Sequence, residues 1–305
     1  MNGKRFYNPD ARQAPGLAEA IRWKWSSRPQ PSPAFVDDVE PTVPPRRVSG
    51  SSLRTTLVNH STILLQQRGI NILTDPIWSQ RASPFSWIGP RRRRSPGILF
   101  NDLPPIDCVL ISHNHYDHLD LPTLRLLAAR GGASFVVPLG VGRLFRAMKI
   151  GPVHELDWGE SKSLPGFTIH CVPAMHFSSR GIFDRNRTLW CGYVIETEEK
   201  MVYFAGDTAF GEHFRWIREQ FGAPRLALLP IGAYEPRWFM SPVHMGPEEA
   251  VEAHRILGAA TSVAIHHGTF QLADEALEDP KRMLATHAMG ESFLILENGR
   301  FAEIE

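Results

Sequence analysis

The stretch Ser112-His113-Asn114-His115-Tyr116-Asp117-His118-Leu119-Asp120 sets three imidazoles and one carboxylate within six consecutive positions, His113 to His118. An apolar run, Ile106 to Ile111, precedes it and reads as a buried β-strand. Behind it Leu121, Leu124 and Leu127 recur at helical spacing, with Asp120 placed as N-cap. The cluster therefore lies on a strand-to-helix loop at the carboxyl end of a strand, where α/β folds gather their ligands. Alternation along an extended chain sends His113, His115 and Asp117 to one side and His118 to the other. Two directions from one short loop suit two adjacent metal ions better than one. Imidazole nitrogen and carboxylate oxygen bind zinc at about 2.0–2.2 Å. Two ions roughly 3.5–4 Å apart clamp a phosphate ester or an amide for hydrolysis. A merely solvated histidine-rich loop does not explain four such groups directly after a buried strand.

The 305 residues suffice for one large α/β domain or two small ones, with 43% apolar and 21% charged residues, an ordinary globular composition. A net charge of +1 exerts no global pull toward nucleic acid, so any anion binding has to be local. Cys108, Cys171 and Cys191 are scattered in apolar, strand-like contexts. An odd, dispersed set suggests reduced thiols and a cytoplasmic setting, not a disulfide framework. Residues 1–20 show no apolar core of a signal peptide, and no run approaches the roughly 18–20 apolar residues of a membrane span. The expectation is a soluble protein, at most peripheral at a membrane surface.

The pattern HxHxDH after an apolar strand resembles the metallo-β-lactamase superfamily of metallohydrolases. The longer strings LTDPIWSQRASP (73–84), SHNHYDHLD (112–120) and GAYEPRWFM (232–240) resemble a narrower family. That family is the phospholipases D that hydrolyse N-acyl-phosphatidylethanolamine, with their bacterial relatives. The likeness runs from Leu53 to Glu297 and is loose over the first fifty residues. It implies a four-layer αββα sandwich, an α/β fold in which two mixed sheets pack together with helices outside. Residues 1–50 would then be a Pro-rich arm packed on a hydrolase domain of residues 51–305.

The resemblance also implies a ligand set for two Zn²⁺ ions. His176, just past a strand ending near Pro173, takes the position of the third ligand beside His113 and His115. Asp207, after Ala205-Gly206, resembles the carboxylate that bridges the ions; its alternative role is an N-cap for a helix from Glu212. In His266-His267-Gly268-Thr269-Phe270, alignment with the family's IHWGTF selects His266 to join Asp117 and His118 at the second ion, with His267 in place of a tryptophan. Asp75 resembles the carboxylate that supports the ligands from outside. His60 resembles a histidine near the metals, which makes it a candidate substrate contact, or is bonded within a turn. His244 precedes a helix opened by Pro247-Glu248-Glu249 and is either a substrate or phosphate contact or a surface histidine.

Two stretches bear on the substrate. Arg91-Arg92-Arg93-Arg94 follows Phe85, Trp87 and Ile88. It is either a solvated face or a site for the anionic head of an amphiphile, with Trp87, Arg91 and Arg92 as contacts. Residues 1–50 hold eight of the 25 prolines, and Leu17 to Trp25 form a short helix with Leu17, Ile21 and Trp25 on one stripe. This arm either packs on the main domain or lays Arg22-Trp23-Lys24-Trp25 on a membrane.

The expected reaction is phosphodiester hydrolysis of N-acyl-phosphatidylethanolamine-like phospholipids to N-acylethanolamine and phosphatidic acid. Asp117, Asp207 and His244 are the expected catalytic residues. The nucleophile is water held between the ions, whose pKa falls from 15.7 to about 7. The same cage also suits a lactonase or another ester or amide hydrolase, and a silent metal-binding scaffold would want a degraded ligand set. A phospholipid partner follows, with a homodimer allowed and nucleic acid not expected.

Overall fold

The computed structural model describes residues 5–10, 13–181, 183–198 and 200–305. In chain order its elements are α1 (Leu17–Ser26), β1 (Leu53–Asn59), β2 (Thr62–Gln67), β3 (Ile70–Thr74), β4 (Cys108–Leu110), α2 (Leu121–Arg130), β5 (Ser134–Pro138), α3 (Gly142–Met148), β6 (Val153–Leu156), β7 (Ser161–Leu164) and β8 (Phe167–Val172). There follow β9 (Gly192–Glu196), β10 (Met201–Phe204), α4 (His213–Phe221), β11 (Leu226–Pro230), α5 (Arg237–Met240), α6 (Pro247–Leu257), β12 (Thr261–Ile265), α7 (Asp279–His287), β13 (Phe293–Leu294) and β14 (Phe301–Ile304).

Side-chain alternation along the strands builds the layers. In β1 to β3, Leu57, Ile63, Leu65 and Ile72 face inward and meet Ile169, Tyr193, Phe204, Leu228 and Ile265 of the other sheet. Their neighbours Val58, Leu64 and Leu73 face outward onto Leu124, Leu127 and Phe145 of α2 and α3. On the far side Ala227, Leu229 and Ala264 meet Phe214, Ile217, Val251, Leu257 and Leu284 of α4, α6 and α7. Strands covered on both faces explain the near-continuous apolar runs that alternation alone does not reveal. The result is the αββα sandwich. One seven-stranded sheet has the order β14-β1-β2-β3-β4-β5-β6, the other β13-β12-β11-β10-β9-β8-β7.

The two halves present strand ends to one rim. β3 to β6 run parallel, as do β10 to β13, and β8 points the same way as β10 because each is antiparallel to β9. Asp75, the 112–118 loop, His176, Asp207 and His266 all follow these carboxyl ends. Gly206, at φ +61°, permits a close approach between the halves: a Cβ there would lie 2.6 Å from Cβ of Ser112.

Several expectations need correction. The loop after β4 is not extended; residues 115–118 form a turn, so alternation does not separate His118 from its neighbours. Asp120 stands at the N-cap position of α2, but its carboxylate accepts bonds from Ser79 N, Ser79 Oγ and Thr123 Oγ1 at 3.2, 2.8 and 2.6 Å instead of capping the backbone. Within the arginine run Arg91 is exposed, but Arg92 and Arg94 form neither a solvated face nor an open anion site. Arg92 is buried and donates to the carbonyls of Ser79 and Ile77 at 3.2 and 3.0 Å. Arg94 is buried between Asp38, Glu278 and the Gly268 carbonyl. Chain turns with unpaired carbonyls need donors, and the planar guanidinium supplies several at once.

Arg92→Ala is therefore expected to cost about 2 kcal/mol or more of stability by orphaning buried carbonyls. Arg91→Ala and Trp87→Ala, both at exposed residues, are expected to leave kcat/KM within about twofold. Chemical denaturation with steady-state kinetics checks all three; a large KM increase in Arg91→Ala or Trp87→Ala would restore the run as a substrate contact.

Of the expected arm, residues 5–10 and 13–50 are described, and they lie against the layers: Val36 bridges to Arg94, and Thr42 N donates to the Gly97 carbonyl at 2.8 Å. The three cysteines are free and buried. Among the described residues no helix is long and apolar enough to cross a membrane.

Candidate metal centre

At the rim, the structure draws the seven candidate ligands into two overlapping groups. In the first, Nδ1 of His115 lies 2.8 Å from Nε2 of His113 and 3.2 Å from Nε2 of His176. Ligand atoms around a tetrahedral zinc at about 2.0–2.1 Å stand about 3.3 Å apart, so this spacing is that of three corners of one coordination sphere. Hydrogen bonds on the opposite ring edges aim the lone pairs inward. His176 Nδ1 donates to the Val243 carbonyl at 2.9 Å. His113 Nδ1 donates to Ser112 Oγ at 2.8 Å, and that hydroxyl donates onward to Asp75 Oδ2 at 2.5 Å. Burial, with the neighbouring histidines, pushes His115 down to about 3. Burial likewise lowers His176 to about 4, although Asp207 pulls the other way. Neutral rings with inward lone pairs are the form that binds a cation.

The second group is His118, His266, Asp117 and Asp207. Asp207 Oδ2 lies 3.2 Å from His118 Nε2 and 3.1 Å from His266 Nε2; Asp117 Oδ2 lies 3.2 and 3.3 Å from the same atoms. Asp207 Oδ2 also stands 3.9 Å from Nε2 of both His113 and His176, between the two groups. Its other oxygen, Oδ1, is buried with no hydrogen-bond partner among the described residues, as is His118 Nε2. Buried polar atoms left without a hydrogen bond among so many ligand-type groups are the mark of a place for a cation. The donor set fits hard or borderline divalent ions, zinc among them.

His118 is held by Asp75, which accepts from its Nδ1 at 2.6 Å and from Ser112 N at 2.7 Å. The Asp75 side chain is wholly buried, and its backbone takes φ +32°. His60 and His266 are also left-handed, at φ +49° and +59°. Such φ values in non-glycine residues carry strain that the surroundings must impose, and here they fall on the site itself. Thr269 Oγ1 accepts from His60 N, and the His60 carbonyl accepts from His266 N, each at 2.9 Å.

Placing His60 as a substrate contact needs correction. The residue is 1% exposed, and its Nε2 donates to Asp117 Oδ2 at 3.0 Å, so it buttresses a candidate ligand from beneath. His244, by contrast, lines the cleft, with Nδ1 3.9 Å from Asp207 Oδ2. His267 points away from the candidate ligands, with Nε2 3.3 Å from the Ala264 carbonyl.

Protonation here opposes metal binding. Burial acts to lower His266, but the Asp207 charge and its bonds to Asp117 and Asp207 outweigh it and raise the ring to about 9. Burial likewise opposes His118, which the Asp207, Asp117 and Asp75 charges hold well above its ordinary value of 6.5. The metal-free protein thus gains stability from His266 that is full below about 6.5 and is lost as pH rises through about 9. Cation binding requires the unprotonated rings, so it strengthens across the same window and releases protons. Opposite slopes of Tm against pH, falling without metal and rising with a fixed subsaturating zinc level, are the expected result. A metal-free Tm that rises from pH 6.5 to 9 would contradict the assignment.

The cleft above the metal residues encloses about 330 Å³. His115, Asp117, Asp207, His244 and His266 line it together with Pro15, Ala20, Trp23, Phe177, Phe239, Met240, Val243, Leu272 and Arg185. Arg91, Arg92 and Trp87 are not among its lining residues. Sequence reasoning missed this wall, and it missed Asn8, whose Oδ1 accepts from His176 N at 3.1 Å and Trp190 Nε1 at 3.0 Å. The only local cue was the turn-prone pair Asn8-Pro9, which says nothing about a partner 168 residues away.

Residues 70–267 match the beta-lactamase superfamily domain. N-acyl-phosphatidylethanolamine-hydrolyzing phospholipase D 1 of Caenorhabditis elegans is 38% identical over 295 residues, covering 89% of this chain and 82% of that protein. A UPF0173 metal-dependent hydrolase of Methanopyrus kandleri is 30% identical over 254 residues, covering 82% of this chain and all of that protein (100%). In three dimensions, isothiocyanate hydrolase from Delia radicum gut bacteria overlays with a TM-score of 0.66 at 22% identity, covering 82% of this chain and 98% of that one. That last likeness speaks to the fold alone. With the sandwich, the rim of strand ends and the two ligand groups in place, the chain belongs to the metallo-β-lactamase superfamily, as a metal-dependent hydrolase of the family that includes the N-acyl-phosphatidylethanolamine-hydrolysing phospholipases D.

Proposed function

We propose that this protein is a dinuclear zinc phosphodiesterase of phospholipase D type, acting on N-acyl-phosphatidylethanolamine-like phospholipids. One observation carries the reading: a cluster suited to two cations opens at the base of a cleft walled by Trp23, Phe177, Phe239, Met240, Val243 and Leu272. A phosphodiester flanked by hydrocarbon matches a cationic floor under an apolar wall. The relatives named for this reaction in Caenorhabditis elegans and, at 35% identity over 223 residues, Saccharomyces cerevisiae support it.

In this reading His113, His115 and His176 would hold one ion and Asp117, His118 and His266 the other, with Asp207 placed between the two groups of residues. Ions bound there supply Lewis-acid polarisation of the phosphoryl oxygens and a nucleophile drawn from water. The protein's own residues do the orienting. Asp75 and Ser112 fix the tautomers of His118 and His113, and the Val243 carbonyl fixes that of His176. His60 steadies Asp117. His244, at the cleft wall, is placed to meet the leaving alcohol or a phosphoryl oxygen. The apolar wall excludes water from all but the reacting centre, which strengthens every charge interaction there.

Contact with the lipid surface falls to α1 in this reading, not to the arginine run. Leu17, Ile21 and Trp25 are 76%, 52% and 84% exposed on one side of a helix that also carries Arg22 and Lys24. The decisive experiment is metal analysis of the purified protein followed by a phospholipid panel read by mass spectrometry. Release of N-acylethanolamine and phosphatidic acid is expected. If no phosphatidic acid appears while an acyl lactone is opened, the hydrolase acts on carboxylic esters and the phospholipase reading is wrong.

A further inference from the structure

We propose that Trp23, on a helix outside the residues 70–267 that match the superfamily domain, sets which hydrocarbon chain the cleft accepts. The inference rests on the amphiphilic-substrate reading above and adds the residue that measures the chain.

α1 does not complete a core: none of its residues is fully buried. Its two half-buried positions are Ala20 and Trp23, and both line the cleft. Polar bonds at its two ends hold it there. Before the helix, Arg185 Nη2 donates to the carbonyls of Ala14 and Pro15 at 3.1 and 2.6 Å. At its end, the Asp274 carboxylate accepts from Trp23 Nε1 at 3.2 Å, Ser27 Oγ at 2.6 Å and Arg28 N at 3.3 Å. Anchoring by polar ends leaves Ala20 and Trp23 facing the cavity and Leu17, Ile21 and Trp25 on the exposed side.

The indole itself is fixed on two sides. It stacks on Phe239 with centroids 4.8 Å apart and planes 21° from parallel, and its N–H is taken by Asp274. What remains is a rigid apolar surface beside Leu272 and Met240, in the same cavity as Asp207 and His266. Hydrocarbon gains from such a surface, and a polar group loses its hydration there without compensation. A rigid ring also gives a sharper limit than a flexible side chain, because it does not move aside at low cost.

The test is binding, so it does not depend on which bond the protein cleaves. Monoalkyl phosphates from butyl to dodecyl are titrated into zinc-loaded protein by calorimetry. Wild type is expected to gain about fourfold in affinity per methylene until the chain has covered the Trp23 wall. Trp23→Ala is expected to bind dodecyl phosphate at least about tenfold more weakly while butyl phosphate stays within about twofold. Ala20→Phe, which adds bulk to the same wall, is expected to shorten the length at which the gain stops. Equal loss at every chain length would mean that Trp23 merely holds α5 in place, and no change at any length would mean that the chain lies elsewhere; either overturns the proposal. Failure of the phospholipid panel with this chain-length pattern intact would instead count against the phospholipase reaction alone.

Discussion

Asp207→Asn is expected to lower turnover by about 10³-fold or more and to strip at least one metal ion from the protein. The carboxylate is buried at the meeting point of both ligand groups, with Oδ2 3.1–3.2 Å from His266 and His118 Nε2 and 3.9 Å from His113 and His176 Nε2. Burial alone would raise its pKa, yet the adjoining His118 and His266 hold it well below the usual carboxylate range. It is therefore a fixed negative charge across the working pH range. Asparagine keeps the shape and removes the charge that would hold two cations close together. Metal ions contribute several kcal/mol of transition-state stabilisation, and each 1.36 kcal/mol is a factor of ten. Elemental analysis and turnover of bis-p-nitrophenyl phosphate read the two effects separately, with circular dichroism guarding against misfolding. Retention of both metal and turnover would remove Asp207 from the centre.

The second large effect concerns folding as much as chemistry. Asp75→Ala is expected to destabilise the protein by about 3–5 kcal/mol and to weaken metal binding by about 10–100-fold. Asp75 collects Ser112 N, Ser112 Oγ and His118 Nδ1 on one wholly buried carboxylate. Burial pushes its pKa up, against the His118 charge and these bonds. Without it, three buried donors lose their acceptor, at about 1–3 kcal/mol each. The orientation of His113, relayed through Ser112, and that of His118 are lost together. Asp75→Asn keeps one acceptor oxygen and is expected to lie between wild type and alanine. Chemical denaturation of the metal-free protein measures the folding cost, and zinc competition with a chelating dye measures the affinity. A metal-free stability unchanged in Asp75→Ala would refute this account of the relay.

Local order is where the sequence was most legible. The Thr62–Gln67 and Ile70–Thr74 hairpin, the helix opened by Pro247 and closed before Gly258, and the buried β11 and β12 each combine a periodic apolar pattern with clear turn or cap residues. Short or polar strands such as β7 (Ser161–Leu164) and β14 (Phe301–Ile304) carried no such pattern, because they lie at sheet edges with one face in water. The arginine run failed for another reason. Charge density in a sequence does not say whether a guanidinium meets water or a buried carbonyl, and Arg92 and Arg94 meet carbonyls and carboxylates supplied by distant segments.

By itself, the sequence determined the chemistry of the centre: three imidazoles and a carboxylate packed behind a buried strand have few uses other than holding metal. The resemblance extended that to His176, Asp207 and His266 at later strand ends. Only the tertiary structure decided what surrounds them. It turned the 115–118 segment so that His118 rejoins its neighbours, set His60 beneath Asp117, and brought α1 across more than 150 residues of chain to wall the cleft beside Asp207 and His266. Ligand identity is written in side-chain type, which a sequence displays directly. A cleft wall is written in distances between segments, and those exist only once the sheets have packed and drawn the arm against them.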